Sequence, residues 1–259
     1  MLTGLLGHRI SYSASPAMQE AAFRVSGLDW SYSLLDVSPE ELAGAVESLR
    51  GEEWAGANVT IPHKLSVMPM LDDVDEIAES VGAVNFIRRE GRRLLGSNTD
   101  VEGVRAALKE VGIVSTRRLK VVVLGAGGSA RACRQALDGA DISFVTRRAT
   151  EKPIAGGRVL TWWATEWRAL ARGADLLVNT TPIGRNGDLP CAIEDIPAQG
   201  AVIDLVYASP TTPLVAAARG AGRPAADGWT VLLGQGAAAF KAWTGLEAPR
   251  EAMRRALSS

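Results

Sequence analysis

The segment LKVVVLGAGGSAR, residues 119 to 131, limits more than any other what this chain can become. A continuous apolar run has no polar face to leave in water, so its strand must be covered on both sides, as in a parallel sheet. It runs directly into Gly125-Ala126-Gly127-Gly128-Ser129-Ala130, a G-x-G-x-x-A pattern between a strand and a helical segment. Glycines there let the backbone approach a pyrophosphate, and the helix N-terminus offers unpaired N–H groups and a positive dipole end. The pattern predicts dinucleotide binding, against the plainer alternative of a tight structural turn. The residue that reads the adenosine ribose comes about 20 residues on, at the end of the next strand. That strand, Asp141 to Val145, runs into Thr146-Arg147-Arg148 and has no carboxylate to accept from a ribose 2′-OH. Two guanidiniums instead predict a 2′-phosphate and stacking on adenine, hence NADP rather than NAD. A solvated arginine pair is the bland alternative.

Around this segment the chain reads as α/β in two domains. At 259 residues and 47% hydrophobic it can bury one large core or two ordinary ones. Leu2 to Leu6 predicts a strand, and Ser15-Pro16 opens a helix to about Val25 with Ser15 as its N-cap. A strand over Ser33 to Val37, a helix starting at Ser38-Pro39-Glu40-Glu41 and a strand over Ala57 to Ile61 follow. The acidic LDDVDEIAES predicts another helix, GAVNFIRR and RRLLGSNTD a hairpin around Glu90-Gly91, and Val101 to Val111 a helix. Beyond the glycine turn, strands are expected at Asp141 to Val145, Arg158 to Thr161, Asp175 to Asn179 and Ala201 to Leu205. An alanine-rich helical stretch after Asp227-Gly228 is long enough to pack back on the first domain. The expected division is 1–103 with 229–259, and 104–228.

Composition excludes several classes. A net charge of −1 gives no summed positive field for nucleic acid or anionic lipid. No run of about 18 apolar residues predicts a membrane span, and the N-terminus lacks the basic region of a secretory signal. Cys133 and Cys191 have neither zinc nor redox spacing, so no metal is expected and a reducing cytoplasm fits. Among nicotinamide enzymes, Tyr12, Tyr32 and Tyr207 all lack a lysine four residues on, against a short-chain reductase. Cysteine and histidine are too scarce for a zinc alcohol dehydrogenase. His8 and His63 both precede the nucleotide fold, against a lactate-type enzyme.

SYSASP, NVTIPHK, GAVN, NTD, GAGGSAR, VNTTPIG, DLVYASPTTPL and DGWTVLLGQGAAAF occur in this order along essentially the whole chain. Together they resemble the shikimate dehydrogenase family. The resemblance implies an α/β substrate domain beside a Rossmann-type domain, with the active site in the cleft between them. It also implies reversible reduction of 3-dehydroshikimate to shikimate with NADPH, by a monomer or homodimer acting on a small molecule. Lys64 and Asp100 match the family's catalytic pair. Such a pair suits ketone reduction, which leaves an alkoxide needing a proton or a positive charge. Ser13 and Ser15 would hold the substrate carboxylate, Thr60, Asn85, Asp100 and Gln235 its hydroxyls, and Tyr207 would line the site. Thr146, Thr180 and Gly228 would join the glycine loop and the arginines at the cofactor. Tyr12, Phe86, Thr146 and Ala208 depart from the family's commoner histidine, threonine, asparagine and asparagine. Quinate enzymes often have threonine where Ser15 stands, which favours shikimate. The alternatives are a quinate or aminoshikimate dehydrogenase and a non-catalytic NADP-binding sensor.

Overall fold

Two six-stranded sheets organise the chain. The computed structural model describes residues 1–147, 154 and 156–258. They form two compact units, Met1–Asp100 with Leu232–Ser259, and Val101–Val231. Strands of the first unit are β1 (Leu2–Gly7), β2 (Ser31–Asp36), β3 (Gly56–Val59), β4 (Asp73–Val74), β5 (Phe86–Glu90) and β6 (Arg93–Ser97). Their order is β2-β1-β3-β5-β6-β4. Neighbours are parallel except at β5, which runs antiparallel to both β3 and β6. That reversal brings the amino end of β5 to the same sheet edge as the carboxyl ends of β1, β3 and β6.

Helices α1 (Ser15–Val25), α2 (Leu42–Ser48) and α3 (Glu76–Val81) connect these strands. Leu42 and Val46 of α2 pack on Leu6, Val59, Val84 and Ile87 of the sheet side. Each such burial contributes roughly 1.5–3 kcal/mol. The helix expected from Ser38 begins at Leu42 instead. Residues 38 to 41 close a turn in which the Glu41 N–H donates to the Ser38 carbonyl at 3.2 Å and the Ser38 N–H to Glu41 Oε2 at 3.0 Å. Ser15 is also not the cap of α1: it is the first helical residue, and Ala14 holds the cap position without a side-chain bond. The two-residue β4 is too short to leave a strand pattern in its acidic stretch, which reads in the sequence as helix alone.

The second unit contains β7 (Lys120–Leu124), β8 (Asp141–Thr146), β9 (Arg158–Thr161), β10 (Leu176–Asn179), β11 (Ala201–Asp204) and β12 (Ala225–Ala226). Every pairing is parallel, and the order β12-β11-β10-β7-β8-β9 is the doubly wound Rossmann order read from β9. Its helices are α4 (Asp100–Glu110), α5 (Gly128–Ala136), α6 (Glu166–Arg172) and α7 (Pro213–Gly220). Val121 to Leu124 are all buried, as a strand covered on both faces requires. On one face Leu124, Val145 and Leu177 meet Trp167 of α6 and Leu214 of α7.

The long helix α8 (Gly228–Thr244) and the terminal α9 (Arg250–Leu257) follow. From Leu232 onward they belong to the first unit. Phe240 lies against Phe23 of α1 at 5.7 Å between centroids, and Trp243 donates from Nε1 to the Ile87 carbonyl at 3.0 Å. The part of the alanine-rich stretch from Leu232 onward thus packs against α1 and β5. No helix among the described residues is long and apolar enough to cross a membrane.

Candidate active site

The parallel-edge geometry of the first unit gathers motifs that lie far apart in sequence. Ser13 and Ser15 follow the carboxyl end of β1, Thr60 and Lys64 follow β3, Asn98 to Asp100 follow β6, and Asn85 immediately precedes the reversed β5. The Thr60 N–H donates to the Leu6 carbonyl at 2.9 Å, extending the ladder by one residue before the chain leaves the sheet. A Cβ at Gly7 would come within 2.5 Å of Thr60 Cγ2, so glycine there lets the β1 and β3 ends close up.

Lys64 is held at this edge by its backbone and by its neighbour. Its carbonyl accepts from the Val84 N–H at 2.8 Å, and the buried His63 ring meets the Val37 carbonyl through Nε2 at 2.7 Å. The Lys64 ammonium then donates to Asp100 Oδ2 at 2.5 Å, each residue only 9% exposed. Asp100 Oδ1 accepts from Asn85 Nδ2 at 2.7 Å. Asn85 is fixed in turn by the Thr99 N–H, which donates to its Oδ1 at 2.6 Å. The Asp100 N–H donates to Asn98 Oδ1 at 3.1 Å, and Asn98 Nδ2 donates to the Ala83 carbonyl at 2.8 Å. Gln235 on α8 reaches the same group, its Oε1 3.5 Å from Thr99 Oγ1. Lys64, Asp100, Asn85 and Gln235, which lie in four separate sequence motifs, are thus joined through hydrogen bonds, with Thr99 as the link between Asn85 and Gln235. The structure brings together a cation, a carboxylate and amide groups, most of them buried. Such a set can orient a polar ring and place charge beside a carbonyl oxygen.

The serine loop differs from expectation. Ser13 Oγ accepts from the Ser15 N–H at 3.2 Å, so the hydroxyl that serves the start of α1 is that of Ser13. Ser15 is buried and Ser13 half-buried. Phe86, a departure from the family's threonine, stacks near Trp243 at 5.1 Å, which gives an aromatic ring a partner at that position.

In the second unit the glycine turn sits at the carboxyl end of β7, where strand order reverses toward β10. Gly125 has φ +115°, and a Cβ there would lie 2.3 Å from Thr180 Oγ1. Thr180 donates that hydroxyl to the Leu124 carbonyl at 2.7 Å, tying the β10 loop to the glycine turn. Gly127 is the N-cap of α5 and makes no side-chain cap, while a Cβ on it would meet nothing within 4 Å. Among the described residues, no side-chain cap stands before the first-turn N–H groups of Gly128, Ser129 and Ala130, which fits a pyrophosphate. Thr146 and the exposed Arg147 lie at the carboxyl end of β8. Arg148 lies outside the described residues. Tyr207 packs its ring against Trp229 at 4.6 Å. Gly228 is close-packed: a Cβ would stand 2.5 Å from the Val206 carbonyl carbon and 2.7 Å from the Tyr207 nitrogen.

Sequence reasoning missed a buried hub at the ends of β10 and β11. Asp204 Oδ1 accepts from Asn179 Nδ2 at 2.9 Å and from the Val206 N–H at 3.0 Å, and Oδ2 accepts from Thr212 Oγ1 at 2.7 Å. Burial pushes its carboxyl up to about 6, against the pull of those donors. Asn179, Asp204 and Thr212 are all fully buried. The available signal was a polar residue ending an apolar strand in VNTTPIG and in DLVYASPTTPL.

A Rossmann-type sheet with an uncapped glycine turn, joined in one chain to a mixed sheet bearing a buried lysine–carboxylate pair, defines a class of two-unit α/β nucleotide-fold proteins. Comparison with known proteins narrows it. Residues 5–87 match the shikimate dehydrogenase substrate binding domain, and residues 228–257 the shikimate 5'-dehydrogenase C-terminal domain. The chain is 41% identical to shikimate dehydrogenase (NADP(+)) of Methanopyrus kandleri, over 99% of this chain and 94% of that one. It is 42% identical to the protein of the same name from Rubrobacter xylanophilus, over 99% and 95%. Among solved structures it is similar to shikimate 5-dehydrogenase of Thermus thermophilus in complex with NADP(H) and shikimate, with TM-score 0.88, 34% identity, and 100% and 98% coverage. The ligand-free 5-ketofructose reductase of a Gluconobacter species is also similar, with TM-score 0.83, 33% identity and the same coverage. The chain belongs to the shikimate dehydrogenase family.

Proposed function

We infer that this protein is an NADP-dependent shikimate dehydrogenase, reversibly reducing 3-dehydroshikimate to shikimate. The observation that carries this is the buried Lys64–Asp100–Asn85 group in a chain about 40% identical over nearly its whole length to proteins named for that activity. The unit of residues 1–100 and 232–259 takes the substrate, and that of residues 101–231 the nucleotide. When bound, NADPH supplies the hydride that goes from nicotinamide C4 to the ring carbonyl carbon.

The chain's own residues handle the oxygen and the ring. The Lys64 ammonium stands beside the carbonyl oxygen, where it donates a proton to the forming alkoxide or stabilises its charge. Asp100, bonded to both Lys64 and Asn85, orients the ammonium and accepts from a substrate hydroxyl. Thr60, Asn85 and Gln235 read the remaining hydroxyls, since an absent hydroxyl would leave a buried partner unpaired. Ser13 and Ser15 hold the carboxylate, and Tyr207 lines the site. The Gly125–Ala130 turn and the start of α5 hold the pyrophosphate, with Thr180 and Gly228 shaping the loops beside it. Thr146, Arg147 and Arg148 take the 2′-phosphate. Action in a reducing cytoplasm accords with two buried, unbridged thiols, Cys133 and Cys191.

The test is a spectrophotometric panel of shikimate, quinate, aminoshikimate and the reduction of 5-ketofructose, each with NADP(H) and NAD(H). Shikimate with NADP should show the highest kcat/KM. A higher value for quinate or aminoshikimate would move the protein to that activity. No turnover with any substrate, despite NADP binding, would make it a sensor.

A further inference from the structure

Two adjacent tryptophans close β9, and they have opposite fates. The Ala164 N–H donates to the Thr161 carbonyl at 3.1 Å, so Trp162 and Trp163 occupy the centre of a tight turn at the carboxyl end of that strand. Trp162 packs against Trp167 at 5.7 Å, and Trp167 Nε1 donates to the Trp162 carbonyl at 2.9 Å. Trp163 is 77% exposed. Isolated exposed apolar residues are ordinary, but a whole indole in water is unusual for the residue type that buries the most surface.

Its position gives the exposure a use. β9 pairs in parallel with β8, Thr146 opposite Thr161, and the Trp162 N–H donates to the Thr146 carbonyl at 2.8 Å. The tryptophan turn is therefore stitched to the strand end that carries Thr146 and Arg147. In a doubly wound sheet the ligand lies across the carboxyl ends of the strands, and the end of the second strand, here β8, receives the adenosine ribose. The strand next outward, β9, ends beside that position. Adenine is the flat apolar group in that half of the dinucleotide, and stacking on an indole is the interaction an exposed tryptophan offers it.

We propose that Trp163 is an adenine-binding residue, supplying a stacking wall beside the 2′-phosphate position at Arg147. This rests on the NADP reading above. It assigns the two halves of adenosine phosphate recognition to different residues: Arg147 tells NADP from NAD, and Trp163 holds the base common to both.

The experiment is calorimetric titration of adenosine 2′,5′-bisphosphate, which has the base and the 2′-phosphate but no nicotinamide, into wild type, Trp163→Ala and Trp163→Phe. Alanine should weaken binding about threefold to tenfold, the range expected of one lost aromatic stack, and phenylalanine should restore most of it. The ratio of the KM values for NADP and NAD should stay unchanged in Trp163→Ala, because adenine is shared. Alanine binding within twofold of wild type, or a shifted NADP to NAD ratio, would overturn the assignment of Trp163 and leave the cofactor reading intact. Wild type that fails to bind the bisphosphate would overturn both.

Discussion

Replacing Asp204 by asparagine should change how the stability of this protein depends on pH, and the size of the change follows from the site. Asp204 is fully buried, and desolvation raises its carboxyl from 3.8 to about 6 although Thr212, Val206 and Asn179 all donate to it. Asp227, the nearby acid, adds to the rise. Well below pH 3.8 the group is protonated whether the chain is folded or not. Between about 4 and 6 the folded state alone keeps the proton, so this contribution to stability is lost as pH rises through the folded value. A rise of about two units corresponds to about 3 kcal/mol. Asparagine cannot ionise, and the Thr212 hydroxyl can rotate to accept from its amide. Urea unfolding of both proteins from about pH 4 to 7.5, followed by tryptophan fluorescence, gives the comparison. Subtracting one protein from the other at each pH removes the titrating groups that do not interact with Asp204. Wild-type stability minus that of the variant should fall by about 2 to 2.5 kcal/mol across the range, the rest of the change lying below about pH 4. A difference flat to within about 0.5 kcal/mol would show that Asp204 ionises in the fold as easily as in water, and the burial argument would be wrong.

Other outcomes follow from the same contacts. Lys64→Ala should keep NADP affinity while lowering kcat by a factor on the order of 10² or more; turnover near wild type would remove Lys64 from the chemistry. Ser13→Ala should both raise the KM for shikimate and cost about 1 kcal/mol in a thermal melt, because its Oγ accepts from the Ser15 N–H. Ser15→Ala should raise the KM with little change in the melt, and equal destabilisation by both would refute this division. Gly228→Ala should destabilise by about 1–3 kcal/mol, since the new methyl meets the backbone of residues 205–207. Gly127→Ala should melt like wild type yet bind NADP more weakly, its methyl lying in open space at the start of α5. Alanine at both Arg147 and Arg148 should narrow the preference for NADP mainly by raising its KM, as steady-state kinetics with both cofactors would report.

Much of the candidate site can be read in the sequence because its residues sit in short local motifs. The buried strand before the glycine turn, the acid-free end of β8 and the lysine after NVTIP each carry their meaning within a few residues. The element boundaries that failed did so for local reasons as well. Ser38 to Glu41 carries a helix-start signal, but its hydrogen bonds close a turn first. Ser15 before Pro16 looks like a cap, yet its backbone is already helical and Ser13 provides the acceptor.

By itself the sequence determined residue chemistry and local backbone preference: which segments must be buried, where glycine admits positive φ, and which side chains can move protons or hold anions. Tertiary structure alone decided which of these groups meet. The antiparallel insertion of β5 carries Asn85 to the edge where β3 and β6 deliver Lys64 and Asp100. The burial of Asp204 depends on β10, β11 and the Thr212 segment closing around it. Hydrogen bonds and desolvation act over a few ångströms in space, whereas the residues they join here stand from 2 to 156 positions apart along the chain.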